Sequence, residues 1–242
     1  RHGMRSMRTH CGGHAHKCIF EYIYFARSDS LIDGISVHSA RLSAGSLLSQ
    51  QHPVAADLVF GVPDSGTDAA IGYSLSSGIP YGRGLVKNNY IGRTFIKPSQ
   101  KQRETSVRIK LNPIRSSVAG KRVVMVDDSI VRGTTSARIV HMIKAAGATE
   151  VHVRISSPPF LWPCYFGTDV PSLDELTARH HSVDEIRNLI GADSLGFLDP
   201  GSLGEMLGEP GHHYCNACFS GQYPILTCSD NHRERNYYGL HS

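Results

Sequence analysis

Apolar positions in this chain fall into short β-branched runs separated by longer stretches with helical spacing, an alternation that predicts a mostly parallel sheet with helices on both faces. Leu58 to Val62 reads as a strand, and Pro63-Asp64-Ser65-Gly66 turns it into a helix over Thr67 to Ser76 that Gly78 and Pro80 end. Gly84-Leu85-Val86 reads as a second, short strand before a long polar loop from Lys87 to about Asn112. Lys121 to Val126 is the central strand, β-branched at three of its last four positions, as suits burial on both faces. In the helix that follows, Ile139, Val140, Ile143 and Ala146 share one face, and Gly147 ends it. Val151 to Ile155 predicts another strand, and Ser182 with Glu185 three residues on forms a capping-box pattern for a helix reaching Ile190. Residues 1–17, with four histidines and no apolar period, read as a truncated or foreign leader. Residues 227–242 read as a polar tail, and both ends are expected to be poorly ordered around one domain over 18–226.

Composition narrows the classes without choosing among them. With 242 residues, 40% hydrophobic and 19% charged, the chain can bury a sizeable core. No apolar run approaches the roughly eighteen residues that span a bilayer, so a membrane role is not expected. The net charge of +4 is mild, and the one basic cluster, Arg93 to Arg122, lacks the interleaved aromatics of a nucleic-acid surface. It reads instead as a phosphate-binding segment, so no nucleic-acid partner is expected.

The chemistry concentrates where strands end. Asp127 and Asp128 emerge from the central strand at its carboxyl end, where open α/β sheets bind ligands. Ser129, Ile130, Val131, Arg132, Gly133, Thr134 and Thr135 then supply hydroxyls and backbone N–H groups, and the next helix points its positive end at the same place. Two adjacent carboxylates can hold ribose hydroxyls directly or through Mg²⁺. Asp64, Ser65 and Gly66 form a second strand-end turn whose small residues let a ligand approach the backbone. The polar loop carries Lys87, Tyr90 and Arg93, and a long loop of this kind suits a lid that closes over a charged ligand.

The string Val123 to Thr135 resembles the phosphoribosyl pyrophosphate (PRPP) motif of type I phosphoribosyltransferases, and its Ser-Ile-Val-Arg-Gly-Thr-Thr form resembles the glutamine PRPP amidotransferase family. Phe60 to Gly66 is similar to that family's pyrophosphate loop, and Lys87 to Ile96 to its flexible loop. The resemblance runs from about Cys18 to Pro224 and implies the type I phosphoribosyltransferase fold. It also implies displacement of pyrophosphate from PRPP by ammonia to give 5-phosphoribosylamine, the first step of purine synthesis. Asp127, Asp128 and Ser65 would then hold Mg²⁺ and ribose, the 129–135 segment would anchor the 5-phosphate, and Lys87 and Arg93 would offset charge on the leaving group. The glutaminase domain that family members carry at the N-terminus is absent from this sequence, so the chain reads as the phosphoribosyltransferase half. Ser28 stands where the family usually has proline, which puts local rigidity in question.

Cys215 and Cys218 form a C-x2-C pair that by itself fits zinc, an iron–sulfur cluster or a redox pair. Spacing leaves open a zinc site in which Cys11, His14 and Cys18 join that pair. The family resemblance implies instead a structural 4Fe-4S cluster on Cys18, Cys164, Cys215 and Cys218, with Cys11 and Cys228 incidental. It further implies a cytoplasmic homo-oligomer inhibited by purine nucleotides. None of the fourteen histidines falls in the phosphate-binding strings, and none is assigned a catalytic role.

Overall fold

The structure is a computed structural model and describes residues 16–88, 111–168, 170, 172–208 and 214–224. Strand β1 (Lys17–Cys18) leads into a wide helical turn over Glu21–Phe25, then β2 (Leu31–Ile32), β3 (Ile35–Ser36) and helix α1 (Val37–Gln51). Next come β4 (Leu58–Gly61), α2 (Gly66–Ser77), β5 (Leu85–Lys87), β6 (Leu111–Pro113), α3 (Arg115–Val118), β7 (Arg122–Asp127) and α4 (Thr134–Ala145). The chain continues through β8 (Glu150–Ile155), α5 (Thr177–His180), α6 (Val183–Ile190), β9 (Ser194–Phe197), α7 (Leu203–Met206), β10 (Tyr214–Cys215) and α8 (Ala217–Ser220).

The central sheet has the order β4-β7-β8-β9, and every pair in it is parallel. Alternation along β4 and β7 sends Val59, Val124 and Val126 toward α1 and α2, and Phe60, Val123 and Met125 toward α4 and α6. Both faces are therefore covered, which is why these strands are near-continuous apolar runs. Ile139, Val140 and Ile143 of α4 are buried against the second face, each contributing roughly 1.5–3 kcal/mol by leaving water. Ser182 accepts from the Glu185 N–H while the Glu185 carboxylate accepts from the Ser182 N–H, closing the expected capping box on α6.

Three features depart from the sequence reading. Helix α1, fifteen residues long, is not among the elements predicted above: its buried stripe of Val37, Ala40, Ala44, Leu47 and Leu48 is partly alanine, and four serines and a glycine dilute its apolar content. It packs directly on α2: a Cβ on Gly45 would lie 1.8 Å from the Ala69 carbonyl oxygen, and one on Gly72 would lie 2.0 Å from that of Leu42. Strand β9 at the sheet edge was also unassigned. Finally, the residues that bound the polar loop belong to strands, since Lys87 ends β5 and pairs antiparallel with Leu111, which starts β6. Both ends of the intervening segment are thus held side by side.

Candidate functional site

The carboxyl ends of β4 and β7 and the starts of α2 and α4 surround a cleft of ≈ 1300 Å³. Asp64, Ser65, Lys87, Asp127, Asp128 and all of 129–135 line it, so residues far apart in sequence share one cleft. Asp127 ends β7 with only 7% of its surface exposed, and Asp128 follows at 8%. Burial, then repulsion from Asp128, raises the Asp127 carboxyl well above the usual carboxylate range. Burial likewise raises Asp128, partly offset by two hydroxyl donors. Those donors are Ser65 Oγ, 2.5 Å from Asp128 Oδ2, and Ser129 Oγ, which donates to Oδ1. The Asp128 N–H donates to Asp127 Oδ1 at 3.0 Å. A concave site with two desolvated carboxylates that repel each other favours whatever brings positive charge or hydroxyl donors between them.

Gly133 precedes α4 at φ 72°, a left-handed conformation that glycine adopts freely and that swings the chain into the helix. The 12-residue helix therefore starts at the cleft, and a helix start of this kind is favourable for an anion. The side chain of Arg132 has a partner of its own. Its guanidinium donates to Glu175 Oε2, and the Thr177 N–H donates to the Val131 carbonyl, so the turn is tied to the 173–181 segment. Its side chain is engaged in that tie, and its backbone is what the turn offers a phosphate.

On the opposite side, Pro63 and Asp64 are joined by a cis peptide bond, and Lys87 forms an ion pair with Asp64. Gly66 stands behind the site and does not line it. A Cβ there would lie 2.4 Å from the Val126 carbonyl oxygen. Tyr90 and Arg93 lie outside the described residues. Arg41, which the sequence reading missed, lines the cleft from α1. Its signal was a cation on the buried face that holds Val37, Ala40, Ala44 and Leu48.

A second constellation joins three distant segments. Cys18 pairs in register with Cys215 across the parallel β1 and β10, and the N–H groups of Leu161 and Trp162 both donate to the Cys218 carbonyl at 3.0 Å. Cys18, Cys164, Cys215 and Cys218 are free thiols. Burial raises the Cys18 and Cys218 thiols, and the charges of the other cysteines raise them further. Burial also pushes Cys164 up, but N–H groups of Phe166, Thr168 and Gly167 outweigh it and hold that thiol low, as suits a thiolate ligand. Among the described residues no group of three or more His, Cys, Asp or Glu side chains is arranged to hold a single metal ion. Cys11 and His14 of the alternative zinc site, and Cys228, lie outside the described residues. Among the described residues no helix is long and apolar enough to cross a membrane.

No protein-family model matches the chain. It is 59% identical over 210 residues to an amidophosphoribosyltransferase of Archaeoglobus fulgidus, covering 86% of this chain and 46% of the relative. It is 56% identical over 232 residues to that of Bacillus subtilis, covering 94% and 49%. Among solved structures, the B. subtilis glutamine PRPP amidotransferase complexed with ADP and GMP superposes with a TM-score of 0.78 at 58% identity, over 86% of this chain and 46% of that one. The chain spans about half the length of the curated relatives it matches. In sequence and in its α/β fold the chain matches the C-terminal, phosphoribosyltransferase half of the amidophosphoribosyltransferases.

Proposed function

We propose that this chain binds PRPP and displaces its pyrophosphate with ammonia to give 5-phosphoribosylamine, as the phosphoribosyltransferase half of an amidophosphoribosyltransferase in purine (IMP) biosynthesis. The observation that carries this reading is the buried Asp127–Asp128 pair at the end of β7, facing the 129–135 turn and the start of α4 across one cleft. Asp127 and Asp128 accept the ribose hydroxyls. The backbone N–H groups of 129–135, with Thr134 and Thr135, hold the 5-phosphate. Lys87 exchanges Asp64 for the pyrophosphate and offsets the charge that grows on it, while Arg93 and Tyr90 act from the adjoining segment.

Ammonia attacks C1 opposite the departing oxygen, so the C1–O bond breaks as C1–N forms and the configuration inverts. Ammonia is already a nucleophile, and the proton it sheds afterwards goes to solvent, so no side-chain base is needed. Mg²⁺ would be held by Asp127, Asp128 and Ser65, a donor set of hard oxygens that fits it, and would neutralise pyrophosphate charge.

A 4Fe-4S cluster on Cys18, Cys164, Cys215 and Cys218 is supported by four free thiols converging from three segments. A zinc ion would need sulfurs about 3.8 Å apart, set by bonds of ~2.3 Å, whereas in a cubane each thiolate takes a different iron and the ligands stand wider. Glutamine-derived ammonia, purine nucleotide inhibitors, a homo-oligomer and a cytoplasmic location complete the proposal. The nucleotide part draws on the ADP and GMP in the related B. subtilis structure.

The test is ammonia-dependent pyrophosphate release from PRPP with Mg²⁺. The unmodified chain is expected to turn over, and a double variant, Asp127→Asn with Asp128→Asn, to lose activity at least a hundredfold while staying folded. Release that persists in the folded double variant would remove the carboxylate pair from the mechanism.

A further inference from the structure

Arg41 is 4% exposed and carries its charge into the interior at the back of the cleft. Its Nε donates to the Tyr22 carbonyl at 2.7 Å, and its Nη2 to the carbonyls of Ala26 at 2.8 Å and Tyr24 at 3.2 Å. Its Nη1 donates to Ser28 Oγ at 3.2 Å. Three carbonyls of one turn and a hydroxyl are thus gathered by a single planar fork, whose fixed donor directions a lysine ammonium cannot reproduce.

Ser28 extends the arrangement. Its Oγ donates to Asp68 Oδ2 at 2.5 Å, and Asp68 Oδ1 lies 3.2 Å from His38 Nδ1 of α1. Asp68 is in the first turn of α2, three residues after Ser65, whose hydroxyl binds Asp128. Residues Tyr24 to Asp29, which form one wall of the cleft, are therefore tied at one end to α1 and at the other to the helix that presents Ser65. Tyr24 and Phe25 of this wall are 48% and 43% exposed and rest their rings on buried Phe20. The hydrogen bonds to Arg41 add the directional hold that such ring contacts lack.

We propose that Arg41 is a positioning residue that, through Ser28 and Asp68, fixes the Tyr24 to Asp29 wall at the distance from Asp127 and Asp128 that the bound sugar phosphate requires. The proposal rests on reading the cleft as a PRPP site. Burial lowers the guanidinium's proton affinity, while the charges of Asp68 and Asp128 act against that, and the group remains a cation.

The experiment has two arms on the 242-residue chain, using Arg41→Lys and Ser28→Ala. Hydrogen exchange reads the wall without any ligand. The amides of Ala26 and Ser30, which donate to Glu21 and Arg27, are expected to exchange about tenfold faster in Arg41→Lys and about threefold faster in Ser28→Ala, with the β7 amides unchanged. Steady-state kinetics with PRPP and Mg²⁺ should show KM for PRPP rising about tenfold in Arg41→Lys with kcat falling less than threefold, a split that general destabilisation does not produce. Unchanged exchange at Ala26 and Ser30, or unchanged KM in a protein that turns over, would overturn the proposal. If Arg41→Lys does not fold, Ser28→Ala decides by the same two readouts. If the unmodified chain binds no PRPP, the substrate reading fails, and the exchange arm still decides whether Arg41 holds the wall.

Discussion

Gly66→Ala tests whether the cleft's geometry depends on how closely α2 approaches β7. The added Cβ would sit 2.4 Å from the Val126 carbonyl oxygen and 3.1 Å from the Asp127 Cα, where ordinary contact begins at 3.4 Å. The start of α2 must then back away from the end of β7 by about 1 Å. That oxygen also accepts the Val62 N–H at 2.8 Å, so the movement strains a backbone hydrogen bond between the two strand ends. Overpacking of this kind costs about 1–3 kcal/mol of stability. The larger effect is on the site. Ser65 moves with α2 while Asp128 stays with β7, so their 2.5 Å hydrogen bond opens, and a displacement near 1 Å between positioning groups costs about a hundredfold in rate. The assay is kcat/KM for PRPP in ammonia-dependent pyrophosphate release, with urea unfolding of the same preparation. Gly167→Ala is the control, because a Cβ there meets nothing within 4 Å, and it should stay within ~0.5 kcal/mol of the unmodified chain. A folded Gly66→Ala protein within twofold of normal kcat/KM would refute the argument that this approach sets the catalytic geometry.

Asp57 is hydrogen-bonded by the Arg122 guanidinium and backbone N–H, which lower its pKa to about 2. A carboxyl depressed in the fold contributes stability above its unfolded pKa of about 3.9 and loses it as pH falls through the folded value. Asp57→Asn should therefore be less stable than the unmodified chain near pH 6, with the two unfolding midpoints converging as pH approaches 2; a difference that persists undiminished at acid pH would rule out the ionic origin. Ser182→Ala removes the Ser182 Oγ acceptor that satisfies the Glu185 N–H at the start of α6 and should cost about 1 kcal/mol in urea unfolding, with pyrophosphate release unchanged.

What the sequence determined by itself was local. The apolar runs of β4, β7 and β8, the turns that end them, the capping box at Ser182 and the left-handed glycines at 78 and 147 each depend on neighbours a few residues away, and all appear in the structure. The Asp127 to Thr135 string was legible for the same reason: a strand end, a turn and a helix start are contiguous. Tertiary structure decided the rest. Helix α1 carries only a weak apolar stripe, with alanines at 40 and 44, because its contact with α2 is made by backbone approaching backbone over Gly45 and Gly72, which a side-chain pattern does not record. Arg41 carries no local signal for its role beyond its place on the buried face, and its carbonyl partners in the preceding turn decide that role. Arg132 belonged to the phosphate string by position, yet Glu175, over forty residues on, determines where its guanidinium goes. The two-residue strands that carry Cys18 and Cys215 are too short to be read from pattern, and they exist because residues nearly two hundred positions apart lie in register. Contacts of that separation are set by how the whole core closes, and no local window of the chain contains the information.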